Sequence, residues 1–359
     1  MRVLLCGYYG FGNVGDEAIL EVIVQRMRAR FPDAGLDVLS ATPQATATRY
    51  GVGATQRWEL RAVRRAIARA DAVVCGGGGL LQSATSLRSL FYYAGIVREA
   101  IRLRRKTMIF AQSIGPLDRL GAMLVRRFCR GVDRATVRDE RSRALLSSLL
   151  PGTRVERTAD PVFLYDAAPS VDLTREGLGA GSEPYAIVCL REAPGFAAGV
   201  ALLARAADRL AQAHGIRVAF LPLGGAADAA ASTTVIRACS APAVLLPEPA
   251  LATAAAAIAG ARLVVGMRLH ALVLAARYAV PFVAVPYDPK VSALLDDLEY
   301  PLEPLLLPQR GARAQDVEAL VDAAVARHDE LRAHLAARIE RVRALAERNF
   351  DVLGELMAE

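Results

Sequence analysis

Short apolar runs separated by longer amphipathic stretches recur along most of this chain. Val3–Gly7, Leu36–Ala41, Ala72–Gly76, Thr107–Ser113 and Ala135–Arg138 are runs of four to seven residues, the length expected of strands buried on both faces. Between them, Asp16–Arg30, Leu87–Arg104 and Ala122–Arg130 place apolar residues at helical spacing. Strand and helix in alternation predict βαβ units and a parallel sheet. The period is lost between Asp160 and Pro184, a stretch holding Pro161, Pro169 and several glycines. It then restarts with Tyr185–Leu190, Val218–Leu223, Val244–Pro247, Leu263–Met267 and Phe282–Pro286 as strands and Ala198–His214 as the clearest helix. From Arg313 to Phe350 a stripe including Val317, Val321, Leu331, Leu335 and Val342 predicts a helical tail, packed on a core or bracing both halves.

The expectation is therefore an α/β protein of two doubly wound Rossmann-like domains with a cleft between them, the GT-B-like architecture. The boundaries read as a first domain over 1–165, a linker over 166–184, a second domain over 185–311 and a helical segment over 312–359. Such a fold hosts many reactions, so function must be argued from particular residues.

Composition narrows the classes. The chain has 359 residues, 53% of them hydrophobic, which excludes global disorder. The apolar start, Met1–Gly7, is too short for a signal peptide. No uncharged apolar stretch reaches the roughly 18 residues of a membrane span. Cys6, Cys75, Cys129, Cys189 and Cys239 are scattered, mostly within strand-like runs, and read as small buried residues of a reducing, cytoplasmic setting. With four histidines and no ligand spacing, no metal site is expected. His214, His328 and His334 read as surface or helix-boundary residues. The net charge is +7, yet 42 of the 44 basic residues are arginine, the exceptions being Lys106 and Lys290. The charge is consistent with acidic partners such as phosphates or anionic headgroups. No stripe of basic and aromatic residues predicts nucleic-acid binding.

Candidate chemistry gathers at strand ends. Arg268-Leu269-His270 follows the apolar run Leu263–Met267 and opens an Ala/Leu-rich helix. A strand-to-helix turn of a parallel sheet is a place for ligands, and a helix start favours anions. Arginine can grip carboxylate or phosphate with two bonds, and histidine can move protons near neutral pH. The next strand ends at Val285-Pro286-Tyr287-Asp288-Pro289-Lys290, which would bring Lys290 close to Arg268 and His270. Arg191, just beyond Tyr185–Leu190, and Tyr287 are further candidates for substrate binding.

In the first half, Gly10-Phe11-Gly12-Asn13-Val14-Gly15 formally matches a dinucleotide fingerprint. Two features speak against that use. The second strand ends in Leu39-Ser40-Ala41 without an acid for a ribose, and Asp16-Glu17 would put two carboxylates where a pyrophosphate should sit. Asn13, Asp16 and Glu17 suit a hydroxyl-rich ligand better, or simply the helix dipole. Gly76–Gly79 allows either a tight turn or close approach of a ligand, with Gly77 and Gly78 as candidates. Gln112 and Ser113 end another strand before Gly115-Pro116. Arg138-Asp139 is either a surface ion pair or a cation facing a ligand.

Taken in order, Gly12-Asn13-Val14-Gly15-Asp16-Glu17, Gly76-Gly77-Gly78-Gly79-Leu80, Ser113-Ile114-Gly115-Pro116, Val137-Arg138-Asp139, Asp160-Pro161, Gly266-Met267-Arg268-Leu269-His270 and Tyr287-Asp288-Pro289-Lys290 resemble the polysaccharide pyruvyl transferase family, its CsaB-type members in particular. The resemblance implies a GT-B-like fold and transfer of a pyruvate ketal from phosphoenolpyruvate to a sugar with release of phosphate. Phosphoenolpyruvate would be a co-substrate, with no cofactor. For CsaB-type members the implied acceptor is N-acetylmannosamine, as a 4,6-ketal in a lipid-linked secondary cell-wall polymer made at the inner membrane face. The ketal then serves surface-layer anchoring. In that chemistry Arg268, Lys290 and Arg138 would meet the two anionic groups and His270 would move protons. Asn13, Asp16 and Glu17 would hold or deprotonate the acceptor. A nucleotide-sugar glycosyltransferase of the same fold is the competing reading. A non-catalytic sugar- or lipid-binding module and a dehydrogenase are weaker ones. The sequence carries no signal for oligomeric state.

Overall fold

Residues 1–84, 86–166, 173, 178, 183–308 and 314–359 are described by the computed structural model. The linker expected over 166–184 lies outside the described residues except at 166, 173, 178, 183 and 184, as does the boundary expected at 311. The chain divides into two compact units, Met1–Tyr165 with Val342–Glu359, and Asp166–Arg341.

The first apolar run forms β1 (Arg2–Tyr9), with Val3, Leu4 and Cys6 completely buried. Asn13 then caps α1 (Val14–Arg30), its Oδ1 accepting from the Gly15 and Asp16 amides at 3.1 and 3.3 Å. Such a cap satisfies donors that a helix start leaves unpaired. The unit continues with β2 (Gly35–Ser40), α2 (Pro43–Tyr50), β3 (Gly53–Gln56), α3 (Leu60–Arg69), β4 (Ala72–Gly76), α4 (Leu87–Arg102), β5 (Lys106–Gln112), α5 (Arg119–Phe128), β6 (Arg134–Val137), α6 (Glu140–Leu149) and β7 (Arg154–Arg157). All strands pair in parallel, in the order β3-β2-β1-β4-β5-β6-β7. Val63, Leu90, Val125 and Leu146 bring α3 to α6 into one buried cluster with Val73 and Ile109 of the sheet. The sequence pattern misses β3 and β7 for a physical reason. Both are four-residue edge strands, Gly-Ala-Thr-Gln and Arg-Val-Glu-Arg, too exposed to need an apolar run.

The second unit contains β8 (Tyr185–Cys189), α7 (Phe196–His214), β9 (Arg217–Phe220), α8 (Ala226–Ile236), β10 (Ala243–Leu245), α9 (Leu251–Ala259), β11 (Leu263–Gly266), α10 (Leu269–Arg277), β12 (Phe282–Ala284), α11 (Pro289–Leu298) and α12 (Ala314–Ala326). Its strands are parallel in the order β10-β9-β8-β11-β12. Val317, Val321 and Ala324 of α12 are buried in the same cluster as Leu203 and Leu210 of α7. Flanking pairs such as Arg209 with Asp322, 2.6 Å, are half-exposed and contribute little beside that burial.

The tail is two helices, α12 and the 31-residue α13 (His328–Ala358), whose residues from Val342 onward belong to the first unit. There Phe350 is fully buried, edge-on to Phe110 of β5 at 5.1 Å. Asn349 donates from Nδ2 to the Ala159 carbonyl at 2.9 Å and accepts from the Thr158 hydroxyl at 2.8 Å. Arg30 of α1 reaches Glu347 and Asp351, both at 2.6 Å. His214 and His328 stand at helix ends as expected, but each has an acidic neighbour: Asp322 at 2.7 Å and Asp329 at 2.9 Å.

Strand order reverses between β1 and β4 in the first sheet and between β8 and β11 in the second. In open α/β sheets that switch point, outside the carboxyl ends of the strands, is where ligands bind.

Candidate active site

In the second unit four strand ends carry the polar residues. Register pairs Cys189 with Gly266 and Gly266 with Ala284, so the turns after β8, β11 and β12 start level with one another. Arg268 caps α10 by position but supplies no side-chain cap. Its guanidinium instead runs past β8 to the start of α8. There Nε donates to Asp228 Oδ2 at 2.7 Å and Nη2 to Oδ1. Asp228 is 1% exposed. Gly224 makes the passage possible, since a Cβ there would lie 2.0 Å from Arg268 Nη2. Arg191 crosses in the other direction. Its Nη1 donates to the Tyr287 hydroxyl at 2.9 Å, and its guanidinium carbon lies 4.8 Å from that ring's centroid. The structure thus brings Arg191 and Tyr287 together across β11.

His270 sits in the first turn of α10, half-buried, with Nε2 shielded from solvent. β11 and β12 are adjacent and parallel, so the turns carrying His270 and Lys290 are neighbours. Asp288 caps α11 through the Lys290 amide at 2.9 Å and lies 3.8 Å from Lys290 Nζ. Helices α7, α8, α9 and α10 all begin without a side-chain cap. In the first unit α1, α4, α5 and α6 are capped by Asn13, Ser86, Asp118 and Asp139. Uncapped amides carry partial positive charge and suit anions. Cations, open helix starts and an imidazole together can hold a multiply charged anion and move a proton beside it.

The first unit's motifs meet at its own switch point. A Cβ on Gly78 (φ +69°) would start 3.0 Å from Asp16 Oδ1, so the β1–α1 and β4–α4 turns touch there. Gly77 (φ +73°) has no room for any side chain, because a Cβ would meet Ile19 Cγ2 at 2.3 Å. Asp16 and Asn13 are half-buried. Glu17 is not presented to a ligand. It is 7% exposed, with Oε1 accepting from the Gly10 amide and Oε2 from the Tyr50 hydroxyl, both at 2.8 Å. Burial first, and then the Glu17 charge, push the Tyr50 phenol well above its ordinary range, so it stays a donor. Glu17 therefore holds the glycine loop in shape.

Ser113, Arg138, Asp139 and Asp160 form one buried polar network. Arg138, 7% exposed, donates from Nε to Ser113 Oγ at 2.7 Å and from Nη1 to Asp160. Ser113 donates to Asp139 at 3.1 Å, and Asp139 caps α6 through the Ser142 amide at 2.7 Å. Asp160 also accepts from the Val162 amide at 3.0 Å. Of the two readings open for Arg138-Asp139, the surface ion pair does not hold: the Arg138 cation is buried against Ser113 and Asp160. A β-bulge at Ala111 (φ 48°) turns Gln112 inward, where its Nε2 donates to the Cys75 carbonyl at 2.8 Å.

Sequence reasoning missed Asp228 and Arg57. Asp228 had a signal, being the one charged residue of the otherwise apolar and hydroxyl-bearing α8. Arg57, 2% exposed, donates to the Gly7 carbonyl at 2.8 Å and the Tyr93 hydroxyl at 2.9 Å. It lies within 4.8 to 5.4 Å of the rings of Phe11, Trp58, Tyr92 and Tyr93. Nothing local in the sequence announces that cage. Among the described residues no group of three or more His, Cys, Asp or Glu is placed to hold a metal ion.

No curated protein matches the chain in sequence. Its fold is similar to that of Anabaena HepE, crystallised with UDP-glucose, at TM-score 0.67 and 11% identity over 99% of this chain and 100% of that one. It is similar to a putative UDP-N-acetylglucosamine 2-epimerase from Listeria monocytogenes, with TM-score 0.69, 9% identity and coverage of 98% and 95%. The Neisseria meningitidis UDP-GlcNAc 2-epimerase gives 0.65, 10%, 99% and 100%. At such identities the likeness speaks for the GT-B-like fold, with its two Rossmann-like units, and for nothing finer. The family model of polysaccharide pyruvyl transferase matches residues 13–289, a stretch that opens on Asn13 and includes Ser113, Arg138, Asp160, Arg268 and His270. The chain belongs to the polysaccharide pyruvyl transferase family and is a transferase.

Proposed function

We propose that the chain moves pyruvate from phosphoenolpyruvate onto two hydroxyls of one sugar, as a ketal, and releases phosphate. The observation that carries this reading is the set of cations on neighbouring strand ends of the second unit. Arg191, Arg268 and Lys290 lie there beside the open starts of α8 and α10, and His270 lies in the first turn of α10. Phosphoenolpyruvate carries a carboxylate and a phosphate close together, and several converging cations suit that pair. Asp228 sets the direction of the Arg268 fork before substrate arrives, which lowers the ordering cost.

In the reaction a proton goes to C3 of the enol and leaves C2 electron-poor. One sugar oxygen bonds to C2, and the C2–O bond to phosphate breaks with its electron pair. The second hydroxyl closes the ketal. One hydroxyl proton balances that given to C3, and the other leaves with phosphate. His270 is assigned the proton transfers. Asn13 and Asp16 are assigned to the acceptor. Arg138, Glu17 and Gln112, all buried and bonded within the first unit, are assigned to shaping the acceptor loops. The acceptor is read as N-acetylmannosamine, ketalised at its 4- and 6-hydroxyls, in a lipid-linked cell-wall precursor.

The test is incubation with phosphoenolpyruvate and a lipid-linked acceptor containing N-acetylmannosamine. Phosphate release with an acceptor heavier by one pyruvate less water is expected. Release of nucleotide from a nucleotide sugar, without phosphate from phosphoenolpyruvate, would overturn the reading in favour of glycosyl transfer.

A further inference from the structure

We propose that the face of the first unit built by α3, α4 and α5 docks onto a bilayer containing anionic lipid, its hydrocarbon entering a groove between α3 and α4. Three observations within this unit lead there. The first is exposed apolar surface. Trp58, Leu60, Phe91 and Met123 are 60%, 74%, 55% and 56% exposed, and Leu87 and Leu120 join them on the same helices. Side chains this large rarely stand clustered in water without a partner.

The second is charge. Helices α3, α4 and α5 carry Arg61, Arg64, Arg65, Arg69, Arg88, Arg98, Arg102, Arg119, Arg126 and Arg127, all exposed, against Glu99 within them and Glu59 and Asp118 at the N-caps of α3 and α5. Glu99 is itself taken up by Arg64 and Arg102, at 3.0 and 2.7 Å. A face mixing exposed leucine and aromatic rings with arginine matches the interface of a bilayer whose headgroups are negative. A protein partner of ordinary composition would face a large uncompensated positive charge.

The third is depth and direction. A groove of about 1100 Å³ lies between α3 and α4, walled by Trp58, Leu60, Phe91 and Tyr92 and reaching Tyr8 at the end of β1 and Phe11 of the β1–α1 turn. Tyr8 and Phe11 stack at 4.1 Å beside the loop that ends in Asn13. Arg57 forms its floor, with a buried Nε that meets no hydrogen-bond acceptor. The groove thus leads from a surface suited to lipid to the loop assigned to the acceptor sugar. Among the described residues no helix is long and apolar enough to cross a membrane. The proposal is therefore of lying on the surface rather than spanning it.

The direction of the groove toward an acceptor rests on the pyruvyl-transfer reading above; binding to the bilayer does not, and vesicle binding can fail separately from it. Trp58 is the one tryptophan of the chain, so its emission reads this face alone. The full chain is mixed with phosphatidylcholine vesicles with and without phosphatidylglycerol. Co-sedimentation and a blue shift of Trp58 emission are expected only with phosphatidylglycerol, with quenching by bromine-labelled acyl chains. Arg61→Glu with Arg65→Glu should weaken partitioning about fivefold or more for each arginine reversed. Leu60→Ser with Phe91→Ser should abolish the blue shift while circular dichroism stays native. Those two variants should pyruvylate a water-soluble acceptor at the unaltered rate and a vesicle-bound lipid-linked one more slowly. Trp58 emission and sedimentation unchanged by anionic vesicles would overturn the proposal. So would a dimer in analytical ultracentrifugation that Leu60→Ser and Phe91→Ser dissociate, which would assign this face to a second copy.

Discussion

Asp228 and Arg268 stand forty residues apart and meet in a two-bond pair across a strand that belongs to neither. Nε reaches Oδ2 at 2.7 Å and Nη2 reaches Oδ1, past the end of β8. Asp228 is 1% exposed, so the pair ties the start of α8 to the start of α10 in a poorly solvated place. The arginine of the Gly266-Met267-Arg268-Leu269-His270 turn is thus held by a residue outside that turn.

Asp228→Asn keeps the shape of the side chain and removes its charge. Arg268 then loses its guide and the charge of its buried partner. Losing one partner of a buried pair costs about 3–5 kcal/mol. Unfolding in urea should report a loss near that range. Initial rates of phosphate release from phosphoenolpyruvate should fall about hundredfold in kcat/KM. A variant with wild-type kcat/KM would detach Arg268 from the reaction.

Gly224→Ala offers a milder version of the same experiment. The added Cβ would start 2.0 Å from Arg268 Nη2, so the guanidinium must swing away from Asp228. The expected result is weaker phosphoenolpyruvate binding by calorimetry, with the circular dichroism spectrum retained. Affinity equal to wild type would mean that the pair plays no part in binding.

Tyr50→Phe tests the loop-holding role of Glu17. It removes the donor to Oε2 and leaves a carboxylate 7% exposed with one partner fewer. Stability should drop by about 1–3 kcal/mol. The β1–α1 turn should gain amide exchange at Gly10, whose N–H bonds to the same carboxylate. Mass-detected hydrogen exchange reads this directly.

Phe350→Ala removes a fully buried ring that packs edge-on to Phe110 at 5.1 Å. Such a deletion costs about 3–5 kcal/mol. Thermal unfolding should begin earlier. Limited proteolysis should release the end of α13 first, because Val342 onward is held on the first unit by this side chain and Asn349.

Alkaline pH should destabilise the fold. Burial pushes the Cys129 thiol from 9.0 up to about 12 and the Tyr185 phenol from 10.0 up to about 12. A raised folded value means that the unfolded chain sheds the proton first. The stability is fully present below about pH 9 and is lost as pH rises through 9 to 12. Each group costs up to about 1.4 kcal/mol per pH unit in its window. Urea midpoints at pH 8 and 10.5 should differ in that direction. Cys129 should resist thiol reagents at pH 8 until the chain is unfolded.

The sequence by itself determined the elements and the turns that carry chemistry. Apolar runs such as Ala72–Gly76 became central strands, and Asn13, Asp139 and Asp288 became helix caps, because periodicity and capping depend on neighbours a few positions away. Arg268 and His270 landed at a strand-to-helix turn, as their flanks require. Only the tertiary structure decided what those side chains meet. It turned Arg138 inward to Asp160 and committed Glu17 to Tyr50. It enclosed Arg57 within rings from three separate segments and gave Arg268 to Asp228 and Arg191 to Tyr287. Both of the last two pairs skip a strand. Strand order is set by how whole layers bury their apolar faces, and no local spacing records it.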